Sequence, residues 1–186
     1  MKIQTTISEE RITVLSYYNT EFVSKARALK GKWETPFWVF DTRVEEHVLN
    51  AVRSCFGVDG TEDYQTCVLT VCLDEWADKS GVEVLGRPIA KAWGRDSGAK
   101  LCEDVICVEG TYTSGGSVKN WGTSCKGTFE VHEFPLEALD RDDVIKAFED
   151  GWASVNNFKI DKVAVQIEIE RLELKIKQLK SLAETP

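Results

Sequence analysis

The spacing of apolar and polar positions changes several times along the chain, and each change marks an element. Ile12 to Tyr18 is β-branched and aromatic and reads as a strand. Asn19 suits a helix N-cap, and Phe22, Val23, Ala26 and Leu29 then recur at helical spacing before Gly31. Trp33 to Phe40 reads as a second strand. Asp41 caps a second helix with Val44, Val48, Leu49, Val52 and Phe56 on one stripe, closed by Gly57 and Gly60. Residues 10–57 therefore predict a β-α-β-α unit.

Further along, Gln65 to Leu73 predicts a buried strand, and Val82 to Trp93 another, broken at Gly86-Arg87-Pro88. Pro88 confines that break to a sheet edge or a bulge. Short strands follow at Lys100–Leu101, Val105–Val108 and Thr128–Val131, with a turn-rich stretch, Gly110 to Gly127, between the last two. Pro135 suits a first helical position. Asp140-Arg141-Asp142-Asp143 caps a helix with Val144, Ala147 and Phe148 inward, interrupted at Gly151. Ile160 to Leu182 predicts one long helix, because Val165, Ile169, Leu172, Ile176 and Leu179 alternate four and three apart as in a coiled-coil seam. The expected class is α+β: an N-terminal β-α-β-α unit, a mixed or antiparallel sheet and a long C-terminal helix. Residues 1–150 are the expected ligand-binding core. Residues 151–186 are a helical extension that packs back on it or pairs with another subunit, making a homo-oligomer.

Composition narrows the function. The 186 residues are 42% hydrophobic and 29% charged, an ordinary globular mix. The net charge of −8 disfavours a nucleic-acid polymer as partner, since such proteins carry a basic face to displace counterions. No apolar run approaches the ~20 residues that span a bilayer, and the first residues carry no apolar signal segment, so the expectation is a cytoplasmic protein without membrane contact. Cys67/Cys72 and Cys102/Cys107 are each five positions apart, wider than the spacing zinc favours. The cysteines therefore read as reduced, buried thiols, and no metal or cofactor is expected.

Catalytic chemistry has no visible carrier. A nucleophile needs a base and an orienting group. Neither His47 nor His132 neighbours a Ser or Cys in a recognisable motif, and no phosphate-binding P-loop or dinucleotide fingerprint occurs. The most informative stretch is Tyr112-Thr113-Ser114-Gly115-Gly116-Ser117-Val118-Lys119-Asn120-Trp121. Paired glycines present backbone N–H groups in a concave array. Ser114, Lys119 and Asn120 add polar groups, and Tyr112 adds a ring for base stacking. The same residues also suit a plain hairpin turn. Arg87 and Arg95 add forked donors of the kind that bind phosphate, and Arg141 beside Asp142 adds a third, each with surface pairing or capping as the plainer role.

Several of these residues together resemble a known family. Gly94-Arg95-Asp96-Ser97, Ser114-Gly115-Gly116-Ser117, Lys119-Asn120, Gly127-Thr128 and Pro135 form a pattern similar to that of the phage Thoeris anti-defence proteins. The N-terminal pattern Phe22, Ala26, Arg27, Leu29, Gly31, Lys32, Trp33, Trp38-Val39-Phe40 and Arg43 is similar to the start of the same family, so the resemblance covers about residues 10–142. It implies a non-catalytic sponge that sequesters a cyclic ADP-ribose isomer, or a small cyclic oligonucleotide, in the cytoplasm of an infected bacterium. By position, Tyr112 would stack on the base and Asn120 would anchor the loop. Arg87, Arg141 and Asp142 would meet phosphate or ribose. Three other readings stand beside it: a small nucleic-acid-binding module carrying Lys25, Arg27, Lys30 and Lys32, a module that engages a host protein through the 160–182 helix, and an enzyme that degrades the signal.

Overall fold

Asn19 organises the first half of the molecule. Its side chain accepts from the Phe22 backbone N–H at 2.6 Å and so caps the first helix, while its amide donates to the Gly86 carbonyl at 3.0 Å and ties that cap to a distant turn. In the computed structural model, which describes residues 1–79 and 81–156, two antiparallel strands precede the helix: β1 (Gln4–Ile7) and β2 (Ile12–Leu15). Then come α1 (Thr20–Ala28), the hairpin β3 (Lys32–Glu34) and β4 (Phe37–Phe40), and α2 (Glu45–Phe56). The sheet order is β1-β2-β4-β3. Ile12, Val14, Trp38 and Phe40 pack against Phe22 and Ala26 of α1 and Val48, Ala51, Val52, Cys55 and Phe56 of α2. Each helix buries residues four apart on one stripe. Gly57 ends α2 at φ +81°, and a Cβ there would lie 2.4 Å from Ala138.

The second half is strand-built: β5 (Thr66–Asp78), β6 (Val82–Val84), β7 (Arg87–Ala92), β8 (Ala99–Leu101), β9 (Val105–Gly116), β10 (Trp121–Pro135), the short α3 (Asp142–Glu149) and β11 (Ala153–Asn156). One sheet runs β11-β5-β10-β9 and a smaller one β6-β7-β8, all pairs antiparallel. Leu69, Val71 and Leu73 point inward at period two and meet Phe129, Val131 and Cys125 of β10, Ile89 and Ala90 of β7, and Val144 and Ala147 of α3. Thr123 accepts from the Ala92 backbone N–H at 3.1 Å, pinning β7 to β10.

The expected α+β class is therefore corrected: the described residues form three antiparallel sheets, and their α-helices are 9, 12 and 8 residues long. The unit expected as β-α-β-α is β-β-α-β-β-α. Pro36, which has no N–H for a ladder, divides the expected second strand into a hairpin. The stretch Gly110 to Gly127, expected as turns, is the paired arms of β9 and β10. Gly110 and Gly127 face each other across that ladder at φ +129° and +116°. A Cβ on either would come within 2.1 or 2.2 Å of a carbonyl oxygen of the opposite strand. These glycines answer to a close approach of backbones, not to a reversal of the chain. The chain divides into units Met1–Asn156 and Asn157–Pro186, and the helix expected over 160–182 lies outside the described residues. None of the described helices is long and apolar enough to cross a membrane.

Candidate functional site

The residues singled out in the sequence fall into separate places. Tyr112 stands on β9 opposite Cys125, 38% exposed. Asn120 and Ser117 close the hairpin tip: the Ser117 N–H donates to the Asn120 carbonyl at 2.9 Å, and the Asn120 N–H donates to Ser117 Oγ at 3.0 Å. Lys119 is exposed on the same turn, while Gly115 and Gly116 belong to the ladder opposite Gly122 and Trp121. Ser114 and Arg95 do meet, Ser114 Oγ donating to the Arg95 carbonyl at 2.7 Å, but the Arg95 guanidinium is taken up by Asp96. Arg141 donates to the Cys55 carbonyl at 2.8 Å and to both oxygens of Asp143; Asp142 is an exposed residue at the start of α3.

Arg87 is the exception to its surface expectation: it is 1% exposed. It donates from Nη2 to the His132 carbonyl at 3.0 Å and stacks 4.1 Å above the Tyr17 ring, and its Nε and Nη1 have no partner among the described residues. Burial pushes the Tyr17 hydroxyl above its ordinary pKa, opposed by the nearby Arg87 and Arg141.

A cluster that sequence reasoning missed forms above Tyr17. A cavity of about 500 Å³ is lined by Lys79, Lys91 and Lys100 together with Tyr18 and Trp93. Lys91 and Lys100 are direct cross-strand partners on β7 and β8. Like charges placed so repel, and among the described residues none of the three lysines is ion-paired. The Lys91 ammonium lies 5.5 Å from the Tyr18 ring centroid and that of Lys100 lies 6.0 Å from Trp93. Both rings face solvent, Tyr18 at 55% and Trp93 at 63% exposure. Two carboxylates share the lining. That of Glu83 accepts from the Thr20 N–H and hydroxyl at 3.2 and 2.9 Å, and Glu103 is exposed. Ammonium groups between exposed rings suit a phosphorylated ring compound: the lysines can hold the phosphate and the rings can stack on its flat face.

One sequence signal did exist. Lys91 and Trp93 are two apart, the spacing of one strand face, although β7 ends at Ala92 and Trp93 stands in the bend just beyond it. Tyr18 and Lys79 reach the cavity from elements far away in the chain, and no local pattern joins them.

Groups with catalytic geometry are weak. Lys25 Nζ lies 2.7 Å from Ser54 Oγ and 2.6 Å from Glu21. Desolvation is the largest single influence and works against its charge, but the bond to Glu21 together with the nearby Cys55 and the Glu21 charge outweighs it and raises its pKa, which makes it a poor base for Ser54. Burial pushes the Cys125 thiol up to about 12, and Cys55 and Cys67 also rise, so these thiols are poor nucleophiles. Among the described residues no three His, Cys, Asp or Glu side chains are grouped to hold a metal ion. Comparison of the chain with protein-family models, with characterised proteins and with solved structures finds no match.

Proposed function

We propose that this protein binds a small phosphorylated, ring-bearing ligand of the nucleotide class and holds it without changing it, with the ligand seated in the Lys79–Lys91–Lys100 cavity. The observation that carries the reading is the Lys91–Lys100 pair. Two ammonium-bearing side chains are direct partners across β7 and β8, and neither is ion-paired among the described residues. Such an arrangement costs stability, and a bound phosphate reverses that cost. Tyr18 and Trp93 supply the stacking surfaces. In its most specific form, following the resemblance to Thoeris anti-defence proteins, the ligand is a cyclic ADP-ribose isomer and the function is sequestration of that signal.

The hairpin tip is the weaker seat for the ligand. Ser114 Oγ is engaged with the Arg95 carbonyl, the Asn120 backbone closes the turn on Ser117, and the Arg95 guanidinium is paired with Asp96. The net charge of −8 again disfavours a nucleic-acid polymer.

A release assay tests the reading. The protein is mixed with a cyclic ADP-ribose isomer, freed of unbound ligand and denatured by heat, and the supernatant is analysed. Intact ligand in the supernatant is the expected result. A chemically altered ligand overturns the non-catalytic part, and absence of ligand overturns the assignment of this signal.

A further inference from the structure

The lysine cavity does not end at Tyr18. A second cavity of about 360 Å³ adjoins it and shares Ser16, Tyr17 and Tyr18 with it. Half of its remaining lining is aromatic, Phe22, Trp33 and Trp38, beside Asn19, Val23 and Arg27. Trp38 and Phe22 are buried at 8% and 1% exposure, whereas Trp33 keeps 51% of its surface in solvent. Trp33 meets Trp38 at 5.6 Å between centroids and 62°, so its ring is held in place and still presents a free surface.

From this geometry we infer that the second cavity is a subsite for a second ring, so that the protein also takes dinucleotides, two bases joined through phosphates. The inference rests on the lysine cavity being a phosphate site. Two features choose the occupant. A cleft lined by five aromatic side chains takes either a flat ring or an alkylammonium group. Arg27 on its lining repels an ammonium and stacks well on a base. The cleft shares Ser16, Tyr17 and Tyr18 with the cavity of Lys91 and Lys100, so a ligand with one ring in the cleft and a phosphate on the lysines reaches across that shared wall. A mononucleotide fills one half of this groove, and a dinucleotide fills both.

Tyr17 is the wall common to the two halves, and the buried Arg87 guanidinium lies against its ring. Arg87 is thus a positioning residue for the junction, acting through Tyr17 without reaching the ligand.

Calorimetric titration of the full chain with adenosine monophosphate and with the linear dinucleotide pApA tests the inference. The dinucleotide should bind at least thirtyfold more tightly. Trp33→Ala and, separately, Arg27→Ala should each weaken pApA at least fivefold while leaving the mononucleotide unchanged. Equal affinities for the two ligands, with the mononucleotide bound, overturn the second subsite and leave the phosphate site standing. Loss of mononucleotide binding in step with pApA in both variants also overturns it. Failure of wild-type protein to bind either ligand overturns the subsite together with the site it extends.

Discussion

Arg87 lies 4.1 Å over the ring of Tyr17, a buried cation against an aromatic face, at the point where the β1-β2-β4-β3 sheet meets the strands of the second half. Among the described residues the His132 carbonyl is the one oxygen at hydrogen-bonding distance from its guanidinium, and Asp104 stands off at 4.0 Å. Burying a guanidinium is costly unless it is paired, and the stacking on Tyr17 offsets part of that cost. Arg87→Ala removes the stack and leaves a cavity, and should lower stability by about 2–4 kcal/mol. Urea unfolding followed by tryptophan fluorescence measures this; a change under about 0.5 kcal/mol would show that the stack holds nothing together.

The facing glycines give a sharper stability test. Gly110→Ala and Gly127→Ala each place a methyl group into the opposite carbonyl at a positive φ, and each should cost about 2 kcal/mol or more. A Cβ at Gly94 would meet nothing within 4 Å, and Gly94→Ala should stay within about 0.5 kcal/mol of wild type. Thermal unfolding of the three variants side by side separates close approach from mere glycine flexibility.

Those glycines also explain what is legible in the sequence and what is not. α1 and α2 can be read because each buries one stripe, Phe22 and Ala26 or Val48 and Val52, and is bounded by local signals, Asn19 before one and Gly57 after the other. β1 escapes notice because three of its four residues are exposed and it carries no apolar run. The β9–β10 arms look like turns because Thr, Ser and Gly dominate them, and glycine marks a turn or a tight backbone contact with equal force. Only the register, Gly110 against Gly127, distinguishes the two. The same limit hides the site: Lys91 and Lys100 become a pair only once β7 and β8 are aligned, and Tyr18 joins them from the segment just before α1.

Alkaline pH should unfold the protein early. Burial holds the Tyr64 hydroxyl and the Cys125 thiol at about 12, above their ordinary values of 10.0 and 9.0. An acid whose folded pKa is raised stabilises the fold fully below its unfolded pKa, and that stability is lost as pH rises toward the folded value. Between pH 9 and 12 the unfolded chain releases protons that the folded chain keeps. Stability should therefore fall by about 1.4 kcal/mol per pH unit from Cys125 above pH 9 and by as much again from Tyr64 above pH 10, up to about pH 12. Denaturant titrations from pH 8 upward should show this slope, and Cys125→Ala should make it shallower.

The lysine pair predicts opposite effects on stability and binding. Lys91→Glu converts a repulsive cross-strand pair with Lys100 into an attractive one and should raise stability by about 0.2–1 kcal/mol. A drop in unfolding midpoint would show that the two ammonium groups are not in conflict in the free protein.

The most direct test of the central claim is the affinity of a cyclic ADP-ribose isomer for wild-type protein, Lys91→Glu and Tyr112→Ala, measured by calorimetry under one salt condition. At least a hundredfold loss is expected for Lys91→Glu, with an unchanged affinity for Tyr112→Ala. Retained binding in Lys91→Glu with loss in Tyr112→Ala would contradict it and move the ligand to the β9–β10 hairpin.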